Sequence, residues 1–135
     1  DKSLKHIDYY YNNYIDYCDK HYKPEDLRYA EIFYRTIPTG VLLKIVPFNY
    51  PLWLAYKFLI PNICAGNPVL IRPPSTCLRL YSFLEGEMQK TERMLVDVSF
   101  FREEDTEKVI SHKHISGISF TGSYSSGILS RQSNR

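Results

Sequence analysis

Two polar positions in this chain stand where residue type and spacing suit chemistry. Asn49 lies between Pro47 and Pro51, directly after the apolar run 41–46. Two prolines stiffen that loop, so the Asn amide is aimed, and a fixed amide N–H is what a developing oxyanion needs. The same residues also suit an Asn that caps a turn, and this block alone leaves both readings open. Gly122-Ser123 directly follows a predicted strand, 115–120, and opens a predicted helix. Backbone N–H groups and the helix dipole at such a start favour an anion, with the Ser hydroxyl as a further donor. A plain strand-to-helix turn with a Ser cap is the alternative.

Other reactive residue types carry less. The cysteines, Cys18, Cys64 and Cys77, are odd in number and form no Cys-x-x-Cys pair, which implies no disulfide framework and a reducing compartment. Cys64 is expected to be buried and inert. His112 and His114 are two apart, a spacing that shares no helix face, so no metal site is expected. The 17 basic and 15 acidic residues are interspersed, a net charge of +2, without the clustered positive charge of a nucleic-acid partner. The apolar region 41–66 is broken by Lys44, Pro47, Asn49, Pro51, Lys57 and Pro61 and is no membrane span. No leader-like apolar run stands at the N-terminus, and a soluble protein of the cytoplasm or mitochondrial matrix is expected. The 12 tyrosines read as compositional bias ahead of an aromatic surface that meets a partner.

These positions need elements to hold them. Leu4, Ile7, Tyr11, Tyr14, Ile15 and Cys18 recur at helical spacing and predict an amphipathic helix over 4–18. Lys23-Pro24 is a break, and 30–36 is expected to be a strand. Residues 41–46 and 69–72 read as buried strands. The stretch 52–64 between them reads as a helix that Pro61 must kink or end early, with Gly66 as its terminator. A second amphipathic helix is predicted over 78–90, with Leu80, Phe83, Leu84 and Met88 inward. Strands at 94–101 and 115–120, a helix at 103–111 and a final helix at 124–132 complete the pattern. Strands alternating with helices predict a parallel α/β sheet with right-handed crossovers. Its strands are apolar on both faces and need cover on both sides.

Three blocks, read together, carry a resemblance. They are Pro47-Phe48-Asn49-Tyr50-Pro51-Leu52-Trp53; Pro61-Asn62-Ile63-Cys64-Ala65-Gly66-Asn67-Pro68-Val69-Leu70-Ile71-Arg72-Pro73; and Ile118-Ser119-Phe120-Thr121-Gly122-Ser123-Tyr124-Ser125-Ser126-Gly127. In order and spacing they resemble the signature blocks of the NAD(P)-dependent aldehyde dehydrogenase superfamily. Leu52-Trp53 with Lys57 is most similar to its succinate-semialdehyde branch. The resemblance implies an N-terminal helix and short-strand region over 1–38, then a partial Rossmann-like coenzyme-binding α/β domain over 39–135.

It also implies roles. Asn49 would hold the oxyanion. Val46, Pro47 and Phe48 would line the coenzyme site, and Gly122 and Ser123 would hold the pyrophosphate. Arg72, where the family usually has Lys, would bond the ribose or a 2′-phosphate, though the two side chains differ in geometry. Ser75 stands where many NAD-specific members have a repelling Glu, which tilts the choice towards NADP. Phe48 replaces the usual Trp, and no glycine occurs between Glu87 and Ser116, where the family has a glycine-containing turn.

The nucleophilic Cys and the base Glu that the resemblance implies match no residue of this chain. Two expectations stay open. One is the coenzyme-binding portion of an aldehyde oxidoreductase, inactive by itself. The other is a catalytically inactive structural subunit of a larger assembly with other protein chains.

Overall fold

The computed structural model describes residues 2–22, 32–35, 37–90, 95–124 and 127. Helix α1 (Lys2–Cys18) leads into strand β1 (Asp19–Tyr22), which pairs antiparallel with β2 (Ile32–Arg35). The chain then runs β3 (Val41–Ile45), α2 (Pro51–Cys64), β4 (Val69–Arg72), α3 (Leu78–Met88), β5 (Val96–Val98), α4 (Thr106–Ile110) and β6 (Ile115–Phe120). Short 3-10 turns at Ser75–Cys77 and Glu103–Asp105 lead into α3 and α4. Strands β3 to β6 form one parallel sheet in the order β5-β4-β3-β6, as their two-faced apolar runs predict.

Helices cover both faces of this sheet. Val46, Val69, Ile71 and Val98 on one face pack with Ala55 and Leu59 of α2 and Tyr81 of α3. Leu43 and Ile45 on the other face pack with Ile110 of α4, with Ile118 and Phe120 against them. Tyr81 is 1% exposed and donates its hydroxyl to the Pro51 carbonyl at 3.0 Å. That bond ties α3 to the start of α2. Burial pushes the Tyr81 phenol far above its ordinary range, with Cys77 and Tyr56 adding to the shift.

Several local expectations are corrected. Helix α2 does not end early, because Pro61 lies in its last turn and only the Lys57 carbonyl loses a partner there. The helix stops at Gly66, whose φ is 81°. Gly66 N–H donates to Ile63 O at 2.8 Å and Asn67 N–H to Asn62 O at 2.9 Å, the paired bonds of a Schellman end. Phe83 is 63% exposed, and Tyr81 turns inward in its place beside Leu84 and Met88, which face inward as expected.

In α1, Leu4 and Tyr11 are exposed. The helix turns His6 and Tyr10 inward, and His6 meets Trp53 of α2 edge-on at 5.4 Å between ring centroids. Cys64 is half-buried rather than buried, because it lies in the final turn of α2. Strand β5 is shorter than expected, although Val69 N–H to Leu95 O and Ser99 N–H to Ile71 O continue its pairing at both ends. Strand β1 was not foreseen, its Asp-Lys-His-Tyr sequence having no apolar alternation. The break at Lys23-Pro24 and most of the helix expected over 124–132 lie outside the described residues.

Candidate functional site

Strand order decides where the polar positions meet. From β3 the chain moves outward to β4 and β5, then returns to place β6 on the opposite side of β3. The order therefore reverses at the β3–β6 seam. In open α/β sheets ligands bind outside the carboxyl ends of the strands at such a point. All pairings are parallel, so the ends of β3, β4 and β6 share one edge. Neighbouring strands are about 4.8 Å apart, which puts the ends of β4 and β6 roughly 10 Å from one another.

The loop after β3 carries Val46, Pro47, Phe48 and Asn49 to that edge. Val46 is 2% exposed and anchors the loop in the core, and its N–H donates to Arg72 O at 3.0 Å. Phe48 and Asn49 are exposed. Tyr50 then takes a left-handed backbone, φ 52° and ψ 50°, a conformation that costs a non-glycine residue about 1 kcal/mol. The helical region is disfavoured for a residue before proline, so Tyr50-Pro51 makes a sharp start to α2. Leu54 N–H to Tyr50 O at 3.1 Å closes its first turn.

Arg72 ends β4. Its guanidinium stacks on the Phe101 ring, 5.7 Å from the centroid. Phe101 lies in the stretch that lacks the family's glycine, so an aromatic platform supports the cation there. Ser75 is exposed and opens the 3-10 turn before α3.

After β6, Gly127 N–H donates to Ser123 O at 3.1 Å and closes a first helical turn. Backbone N–H groups at a helix start are suited to an anion. A Cβ on Gly122 would lie 2.5 Å from Cζ of Phe120, and one on Gly127 3.4 Å from its Cε1. Both glycines are therefore seated on one half-buried ring, which holds the turn close to the end of β6.

Two residues that hold β3 in place were not singled out from the sequence. Asn67 is 6% exposed. Its Oδ1 accepts from Thr39 N–H at 2.6 Å, from the Thr39 hydroxyl at 3.2 Å and from Gly40 N–H at 3.4 Å. It ties the end of α2 to the entry of β3. Lys44 is 4% exposed in the middle of β3. Its Nζ donates to Ser119 Oγ at 3.0 Å and Thr121 Oγ1 at 2.9 Å and lies 5.6 Å from the Phe58 ring centroid. Burial, and then the charge of Lys57, hold its pKa below the ordinary lysine range. A lysine inside an otherwise apolar strand was the available signal, because lysine is almost never fully buried without a partner.

Comparison with known proteins agrees with this arrangement. The model of the aldehyde dehydrogenase family matches residues 1–133. The chain belongs to that family. It is 38% identical over 96 residues to the succinate-semialdehyde dehydrogenase (NADP(+)) of Deinococcus radiodurans, covering 67% of this chain and 19% of that protein. It is 36% identical over 94 residues to the NADP/NAD-dependent aldehyde dehydrogenase PuuC of Escherichia coli, with the same coverage of 67% and 19%. Among solved structures it resembles an oxidoreductase from Marinobacter aquaeolei at a TM-score of 0.82 and 26% identity, over 98% of this chain and 28% of that one. A succinic semialdehyde dehydrogenase from Streptococcus pyogenes, solved with NADP+, shares the fold at a TM-score of 0.81 and 23% identity, over 94% of this chain and 28% of that one. The chain spans about a fifth of the length of the curated relatives it matches.

Among the described residues no helix is long and apolar enough to cross a membrane. No group of three or more metal-ligating side chains occurs among them.

Proposed function

We propose that these residues form the coenzyme-binding portion of an NAD(P)-dependent oxidoreductase of aldehydes. The observation that carries the reading is the reversal of strand order between β3 and β6, which brings the three signature blocks to one edge. The residues fit the group. The Gly122-Ser123 turn would hold a pyrophosphate, and the Arg72 guanidinium, supported by Phe101, would bond a ribose hydroxyl or a 2′-phosphate. Val46, Pro47 and Phe48 would line the coenzyme site. When bound, the coenzyme supplies the hydride acceptor. The chain's own part is to orient it and to exclude water, with the Asn49 amide donating to the oxyanion that forms at the substrate carbonyl. On this reading none of Cys18, Cys64 and Cys77 is the nucleophile of the reaction.

Arg72 and Ser75 favour NADP over NAD, since a guanidinium pairs with a 2′-phosphate and Ser75 places no carboxylate against it. Titration of the protein with NADP+ and NAD+ by calorimetry tests the proposal. Arg72→Leu is expected to weaken NADP+ at least tenfold more than NAD+. Absence of binding for both coenzymes by the parent protein would overturn it.

A second reading, an inactive subunit of a larger assembly, is supported by the large exposed side chains Leu4, Tyr11, Phe48, Phe83 and Tyr124. Coenzyme binding without any aldehyde turnover by the complete protein would favour it.

A further inference from the structure

Lys44 is a buried cation on the seam where the strand order reverses. It stands opposite Ser119 in the β3–β6 register and reaches across to the hydroxyls of Ser119 and Thr121. Among the described residues no carboxylate forms a salt bridge with it. A buried charge without a counter-ion is costly. Two hydroxyls accept from two of its three N–H donors but supply no opposite charge.

The surroundings show where opposite charge is missing. From α2, Phe58 presents its ring and Lys57 adds a second positive charge. From β4, Ile71 stands opposite in register. From β6 and the turn after it come the hydroxyls of Ser119 and Thr121. Thr121 is exposed and is the first residue of the turn that continues into Gly122-Ser123. A hydroxyl that accepts from an ammonium is polarised and donates more strongly through its own hydrogen.

We infer that Lys44 is a positioning residue for the coenzyme diphosphate, acting through the Thr121 hydroxyl, which relays its positive charge to a phosphate oxygen at the turn. This rests on the coenzyme reading above and adds a residue to it. The diphosphate supplies the anion that the buried amine lacks, while the ammonium orients the Thr121 hydroxyl and deepens the positive potential there. Because the diphosphate is common to NAD and NADP, the effect is independent of the 2′-phosphate, unlike that of Arg72.

The test is calorimetric titration of the protein with NADP+ and with NAD+ from neutral to alkaline pH, for the parent, Lys44→Met and Thr121→Val. Met fills a similar volume without charge, and circular dichroism with thermal unfolding verifies that each variant is folded. Parent affinity for both coenzymes is expected to fall as pH rises through the Lys44 titration, because the ammonium is lost. Lys44→Met should weaken both coenzymes by about tenfold at neutral pH, equally for each, and should flatten that pH dependence. Thr121→Val should reproduce the loss. A residue with a merely structural role would shift stability without removing the pH dependence. If the parent binds coenzyme and Lys44→Met matches its affinity and pH profile, the role assigned to Lys44 is wrong while the coenzyme reading stands. If the parent binds neither coenzyme, both fall.

Discussion

Replacing Asn67 with Ala separates the side chain's contribution from that of the backbone around it. The Schellman bond from its N–H to Asn62 O, 2.9 Å, survives the change. What goes is the acceptor shared by Thr39 N–H at 2.6 Å, the Thr39 hydroxyl at 3.2 Å and Gly40 N–H at 3.4 Å. A typical intramolecular hydrogen bond contributes about 1 kcal/mol net, and the longest of the three counts for little. Thr39 is exposed, so water re-satisfies its groups and their full desolvation penalty is not incurred. Asn67 itself is 6% exposed, so truncation leaves a small void that adds up to about 1 kcal/mol. The expected loss is about 2–3 kcal/mol. For a folded unit of this size that lowers Tm by roughly 7–11 °C. Thermal unfolding followed by circular dichroism reads the shift. Thr39→Val, which removes only the hydroxyl bond, is the comparison and should cost under about 1 kcal/mol. If Asn67→Ala costs no more than Thr39→Val, the amide does not hold the entry to β3.

Three further outcomes are expected. The lowered pKa of Lys44 means that the unfolded chain binds more protons between that value and the ordinary 10.5. Stability therefore rises with pH across that window and levels off above it. The stability advantage of Lys44→Met over the parent in urea unfolding should shrink as pH rises, and an advantage that grows would refute the reasoning. Gly40 has φ 120° and lies where a Cβ would meet Ser116 Oγ at 2.2 Å. Gly40→Ala should therefore cost about 2 kcal/mol or more, and Ser116→Ala should recover only part of it in the unfolding midpoint. Tyr81→Phe removes the 3.0 Å bond to the Pro51 carbonyl while keeping the packed ring, and should lower stability by about 1 kcal/mol in urea titration. A neutral result would show that water or another donor replaces the hydroxyl.

Much of this architecture is legible in the sequence because parallel strands buried on both faces leave continuous apolar runs. Val41–Ile45 and Val69–Arg72 stand out for that reason, and the three signature blocks mark the loops after these strands and after Ile115–Phe120. What was missed depends on tertiary neighbours. The inward face of α3 turns on Tyr81, a residue type equally at home on a surface. Strand β1 has polar side chains and is defined by pairing with β2. Asn67 sits within a recognised block, yet its partners at Thr39 and Gly40 lie 28 and 27 residues earlier. The significance of Lys44 appears only when β6 is laid beside β3. The roles of Asn49, Arg72, Ser75, Gly122 and Ser123 came from the resemblance, and the fold accounts for their shared edge.

That same pairing sets a timetable for synthesis. Lys44 and Ser119 are 75 residues apart, and ribosomes add roughly 5–20 residues per second. About 4–15 s therefore separate the emergence of β3 from that of its β6 partner. Through that interval the nascent chain presents an open, apolar strand edge, of the kind that recruits foreign strands. A lysine in the middle of such an edge is one of the devices by which proteins discourage that pairing. Lys44 would then guard the growing chain against aggregation before β6 arrives to enclose it.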